Sequence, residues 1–167
     1  MRYLAPVALF LYCLNTGAAL AQDWHAFVSR EEFFLATMPS EPEVATIEYT
    51  AASGAVLPAK TFTASYNGTV YTATAVHYMA ADQADIDAAI EHAVQSFRDR
   101  PGDVTYDNVQ IMEGLPGHMI YLANPDGSRT ATGIYMHAGP SEWGAPDRLY
   151  ILEATVPAGQ PPAIQFS

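Results

Sequence analysis

The side chains of this chain that could do chemistry are thinly spread. Its five histidines are His25, His77, His92, His118 and His137. No two of them stand in the H-x-H or H-E-x-x-H spacing that brings a pair of imidazoles to one metal. His77 and His137 fall in strand-like runs that a folded sheet could bring together. Asp85 and Asp87 match the first two positions of a calcium loop, yet neither the glycine nor the closing glutamate of such a loop follows. Carboxylates placed at the start of a helix account for them. There is no G-x-S-x-G elbow, so a Ser–His–Asp arrangement would have to be assembled by folding. Gly114-Leu115-Pro116-Gly117 lacks the G-K-[ST] of a phosphate loop and reads as a tight turn. On this reading no catalytic residue, no metal ligand and no cofactor is assigned.

Binding offers more. Tyr71, Tyr78, Tyr121, Tyr135 and Tyr150 all lie in strand-like runs, where aromatic rings pack well on a pleated surface. A stacking platform for a sugar or peptide is the functional alternative. Loops carry function more often than sheet faces. The turn region from Glu113 to His118, with Arg129 on the neighbouring hairpin, gathers charge in a chain with a single lysine, Lys60. Glu113, His118 and Arg129 are therefore the candidate binding residues, with solvated loop charge as the plain alternative. The formal net charge of −11 repels phosphate backbones and anionic headgroups, which argues against nucleic acid as a partner. An unidentified protein or a small ligand is the expected partner.

The first residues read as an address. Arg2 gives a positive start, Leu4 to Leu14 an apolar run, and Ala19-Leu20-Ala21 a small-residue ending. This is the grammar of a secretory signal peptide over residues 1–21, cleaved after Ala21. The apolar run is shorter than the roughly 20 residues a membrane span needs, so no integral span is expected in the mature chain. Periplasmic or secreted localisation follows. The only cysteine, Cys13, leaves with the leader, and the mature domain must hold together without a disulfide.

Residues 22–167 read as one domain, rich in strands. Trp24 to Ser29 and Phe33 to Met38 form a first hairpin around Arg30-Glu31-Glu32. Val44 to Thr50 is a strand, and Ser53-Gly54 and Pro58 mark a loop. Thr61 to Tyr66 and Thr69 to Met79 flank Asn67-Gly68, a dipeptide suited to a tight hairpin. In the second of these runs Tyr71, Ala73, Ala75 and His77 alternate with Thr72, Thr74, Val76 and Tyr78. Both faces are mixed, so the sheet should be covered in part on each side. A helix from Asp82 to Arg100 carries an apolar stripe of Ile86, Ile90, Ala93, Val94 and Phe97, capped by Asp82 and stopped by Pro101-Gly102. Val104 to Met112, Met119 to Ala123, Thr130 to His137 and Leu149 to Val156 complete the strands, with a turn at Asn124 to Gly127.

The order of these pieces resembles a family of uncharacterised exported bacterial proteins. The opening Trp24…Phe27…Ser29, Phe33-Phe34…Met38-Pro39…Pro42 is similar to their W-x-x-F-x-S…F-x-V-x-x-P-x-x-P pattern. Gly114-Leu115-Pro116-Gly117 is similar to their G-x-P-G turn, Arg148-Leu149-Tyr150-Ile151-Leu152 to their R-L-Y-x-L strand, and Phe166-Ser167 to the start of a terminal helix. His118-Met119 stands where the family often has a charged pair. The resemblance implies a PsbP-like fold, α+β, with an antiparallel sheet and one main helix packed on a face. It implies no catalytic residues. The expected function is an exported, non-catalytic binding or accessory module of the cell envelope. The alternative is a small hydrolase or other enzyme with a site assembled from dispersed His, Asp and Tyr residues.

Overall fold

The computed structural model describes residues 24–79, 83–138 and 146–161. The expected leader with Ala21, the expected helix cap at Asp82 and the terminal Phe166-Ser167 lie outside the described residues. Among those described, the fold is an antiparallel sheet with one helix on a face, and a separate hairpin lies on the other face.

That hairpin is β1 (His25–Ser29) and β2 (Phe34–Met38), paired antiparallel. The large sheet runs β3-β4-β5-β9-β8-β7-β6. Its strands are β3 (Glu43–Thr50), β4 (Val56–Tyr66), β5 (Thr69–His77), β6 (Asp103–Met112), β7 (Leu115–Ala123), β8 (Arg129–His137) and β9 (Arg148–Val156). It consists of two meanders joined by the helix α1 (Gln83–Arg98). β9, last in the chain, closes the sheet at its centre between β5 and β8.

Local chemistry explains the turns. Asn67 and Gly68 both take positive φ, 49° and 80°, the left-handed pair that a two-residue hairpin needs for its twist to match the strands. Glu113 and Gly114 do the same between β6 and β7, at 51° and 83°. The expected four-residue turn at Gly114 to Gly117 is therefore corrected. The turn is Glu113-Gly114, and Pro116 and Gly117 already belong to β7.

Pro58, expected in a loop, also lies inside a strand. One reason covers both prolines. Residues flanking a two-residue turn form a hydrogen-bonded pair, and the bonding direction alternates from there. Counting from Tyr66↔Thr69, the nitrogen of Pro58 points toward β5, whose ladder with β4 begins only at Ala59. Counting from Met112↔Leu115, the nitrogen of Pro116 points toward β8, whose ladder begins at Gly117. Each missing N–H falls where no partner is waiting.

The helix buries Ala89, Ala93, Val94 and Phe97 against Val76, Ile120, Leu122, Ile134, Met136 and Leu149 of the sheet. It is shorter than expected at its C-terminal end, stopping at Arg98. Pro101 disfavours helical geometry in the residue before it, and Arg100 N–H donates instead to the Phe97 carbonyl at 3.1 Å in a tighter turn. On the opposite face Phe27, Phe34, Ala36 and Met38 of the hairpin pack against Phe62, Ala64, Ala73 and Leu152. The sheet is thus covered in part on both faces, as the mixed alternation of β5 implies.

Candidate functional site

The hairpin turn Arg30 to Phe33 places a carboxylate where carboxylates rarely go. Phe33 takes φ 56°, a left-handed conformation costly for a bulky residue. In this turn Glu32 points into the protein, 0% exposed. Its N–H donates to Ser29 Oγ at 3.2 Å. Tyr150 Oη donates to its carbonyl at 2.8 Å.

Three basic side chains from three strands of the large sheet meet the Glu32 carboxylate. His77 Nε2 of β5 is 2.6 Å from Oε2. Arg148 Nε of β9 donates to the same oxygen at 3.3 Å. Lys60 Nζ of β4 stands 3.3 Å from Oε1, close enough for ion pairing but without hydrogen-bond geometry. Lys60 also pairs with the exposed Glu31 at 2.5 Å, and that contact holds the Glu31 carboxyl below its ordinary range. Burial pushes the neighbouring Tyr150 phenol up to about 12, so it stays a neutral donor at any physiological pH. A buried charge persists only when paired and hydrogen-bonded. Here the basic partners come from the sheet and the carboxylate from the hairpin.

Register answers the question of His77 and His137. His77 pairs with Arg148 across β5–β9, and Arg148 pairs with His137 across β9–β8. The two histidines therefore sit on one face, about 10 Å apart across two strand spacings, with Arg148 between them. Among the described residues the buried His137 Nδ1 has no hydrogen-bond partner. Among the described residues no group of three or more His, Cys, Asp or Glu is placed to hold a metal.

A second carboxylate cluster lies on the helix face. Asp107 of β6 accepts from Arg98, the last residue of α1, through Nε at 2.8 Å and Nη2 at 3.1 Å. Its Oδ1 is 2.5 Å from His118 Nε2 on β7. The Arg98 guanidinium, then the His118 hydrogen bond, holds the Asp107 carboxyl down at about 2 against the cost of desolvation. Arg98 also reaches Glu91 at 2.7 Å.

The sequence-derived binding residues do not converge. Glu113 is exposed at the β6–β7 turn. His118 is buried and turned toward Asp107 under the helix. Arg129 lies at the far end of β7–β8, paired in register with Ala123, where its guanidinium donates to the Gln160 carbonyl. About eight strand residues of β7, at roughly 3.3 Å each, separate the two ends. Of the residues that do converge, Glu32 and Arg148 were read in sequence only as parts of a turn and a strand, Lys60 only as the single lysine, and Tyr150 as a strand aromatic with a stacking platform as its alternative role. The available signal was the only lysine of the chain standing inside a strand.

Among the described residues the hairpin packs on Phe62, Ala64, Tyr71, Ala73 and Leu152 of β4, β5 and β9, and the other half of that face is lined by tyrosines. There the Tyr106 and Tyr121 rings pair at 5.0 Å with an interplanar angle of 30°, and Tyr121 Oη donates to Met119 Sδ at 3.0 Å. Tyr135 lies flat on the backbone of two glycines beside them. A Cβ on Gly117 would fall 2.4 Å from its ring and 2.3 Å from the Ile134 carbonyl oxygen, and one on Gly133 would fall 2.8 Å from the ring. The glycines thus make room for the Tyr135 ring, which is buried, while Tyr106 and Tyr121 are the exposed rings of this half. Compared with known proteins, the chain matches no family model, no curated protein and no solved structure.

Proposed function

We propose that this protein is an exported, non-catalytic binding or accessory module of the cell envelope, built on a PsbP-like sheet. The observation that carries this reading is the exposed Tyr106–Tyr121 ring pair on the sheet face. Tyr106 and Tyr121 present paired rings to solvent at 42% and 38% exposure. Paired tyrosines supply rigid contact area at low entropic cost, with a polar tip for a sugar or peptide. The sheet with a helix on one face and a hairpin on the other supports the finer fold assignment. The apolar run and Ala19-Leu20-Ala21 support export.

The hydrolase reading has one observation in its favour, the 2.6 Å contact between His77 and Glu32. A carboxylate holding an imidazole is how a general base is oriented. Here the same carboxylate oxygen also accepts from Arg148 and is buried under the hairpin, a geometry that serves docking of the hairpin.

Calorimetric titration with soluble glycans and short peptides tests the proposal. Saturable binding by the wild type, lost in Tyr106→Ala/Tyr121→Ala with an unchanged unfolding midpoint, is the expected result. Turnover of ester, phosphoester or peptide substrates that disappears in His77→Ala or His137→Ala would replace it with the enzyme reading.

A further inference from the structure

The two edges of the large sheet are β3 and β6, and they are guarded differently. An open edge offers unpaired N–H and C=O groups to any other strand, and charges on the strand are the usual defence. β3 carries Glu43 and Glu48. On β6 the stretch Asn108-Val109-Gln110-Ile111-Met112 has no charge and no proline, and Val109 and Ile111 are 76% and 72% exposed. Among the described residues no strand pairs with its outer side.

The hairpin register shows which backbone groups are free. Met112↔Leu115 closes the two-residue turn and is a hydrogen-bonded pair. Gln110 and Asn108 therefore also bond toward β7 through their pairs with Gly117 and Met119. Asp107, Val109 and Ile111 turn their N–H and C=O groups outward.

We infer that β6 is a self-pairing edge, and that two copies of this chain join antiparallel about Val109 into one continuous sheet. In that register Val109 faces Val109 of the second copy, and Asp107 faces Ile111 in both directions. All outward groups of the three residues are then used, six hydrogen bonds in alternation. On the helix side the Val109 and Ile111 side chains of both copies come together, leaving water. On the other side Asn108 faces Gln110, an amide opposite an amide. Charge placement fits the same axis. Each Asp107 carboxylate is already held by Arg98 and His118 of its own chain, and the two-fold sets it opposite an isoleucine rather than opposite its twin. The remaining opposition is the net charge of −11 on each copy, which acts at long range and is screened by salt. Pairing should therefore tighten as ionic strength rises.

The test is the mass of the purified protein by light scattering across concentration and salt, with three edge variants. The wild type should reach twice the monomer mass, sooner in high salt. Val109→Lys, at an exposed site, should remain monomeric, with the unfolding midpoint the wild type shows at dilutions where it too is monomeric. With Cys13→Ser as background, Val109→Cys should cross-link to itself on mild oxidation, because hydrogen-bonded antiparallel partners sit about 5.5 Å apart at Cα, a separation a disulfide accepts. Asn108→Cys should cross-link with Gln110→Cys and far less with itself. A wild type that stays monomeric at all concentrations overturns the inference. So does a dimer that survives Val109→Lys, which would place the contact elsewhere. A Val109→Lys chain that loses stability as a monomer would show the edge covered by another segment of the same chain, and overturns it equally.

Discussion

The two carboxylate clusters do the same mechanical work on opposite faces of the sheet, in different solvents. On one face Glu32 belongs to the hairpin and its basic partners to β4, β5 and β9. On the other, Asp107 and His118 belong to the sheet and Arg98 to the helix. Each ties a covering layer to the sheet through a carboxylate, a histidine and an arginine. Yet the Glu32 side chain is 0% exposed and that of Asp107 29%. A pair in water is worth little because water competes and salt screens it. A buried one is costly to break, because the partners left behind cannot recover their hydration. The helix can tolerate a weak tie, since Phe97 and Val94 already hold it. The hairpin's apolar contact is smaller, and its buried charge therefore matters more to where it sits.

Glu32→Gln should separate the two clusters most clearly, by costing about 3–5 kcal/mol, the range for removing one partner of a buried ion pair. Denaturant unfolding would measure it, with Trp24, packed edge-on to Tyr71 at 5.1 Å, reporting release of the hairpin. A loss below about 1 kcal/mol, the surface-pair scale, would erase the distinction. Phe97→Ala, on the helix side, should cost about 3 kcal/mol or more, because that ring is fully buried. A smaller loss would mean that the charged tie carries the helix after all.

Asp107→Asn should cost at most about 1 kcal/mol, and less in high salt. Its pH signature has a definite sign. The folded carboxyl sits near 2, below its ordinary 3.8, so its contribution is complete above about pH 4 and fades as pH falls toward 2. Wild type and Asp107→Asn should therefore converge in stability across that acid window. Parallel curves would mean that Arg98 does not hold this carboxylate. The smallest effect concerns the hairpin turn. Phe33→Gly should raise stability by about 1 kcal/mol, since a left-handed φ costs an L-residue about that much. A loss instead would show the half-exposed ring contributing more packing than its conformation costs.

Much of the architecture is legible in the residues. The apolar stripe of α1 repeats at three and four residues. Asn67-Gly68 and Asn124 to Gly127 stand where the chain reverses, and β5 alternates between its two covered faces. The errors fell at Pro58 and Pro116, read as breaks because a missing N–H matters only relative to the next strand's ladder. The candidate site was legible far less. Glu113, His118 and Arg129 are near in sequence, but β7 carries them apart. His77 lies 45 residues from Glu32, and Arg148 lies 116.

Turn chemistry and periodicity act over a few residues, so the sequence alone determined the helix with its apolar stripe, the tight hairpin turn at Asn67-Gly68 and the approximate place of most strands. Which strands become neighbours depends on closing long loops against the gain of a shared core, and no short window contains that balance. Only the tertiary structure decided that β9 enters between β5 and β8, setting Arg148 beside His77. With the hairpin folded over them, that pairing turned a surface-looking Glu31-Glu32 turn into a buried charge cluster.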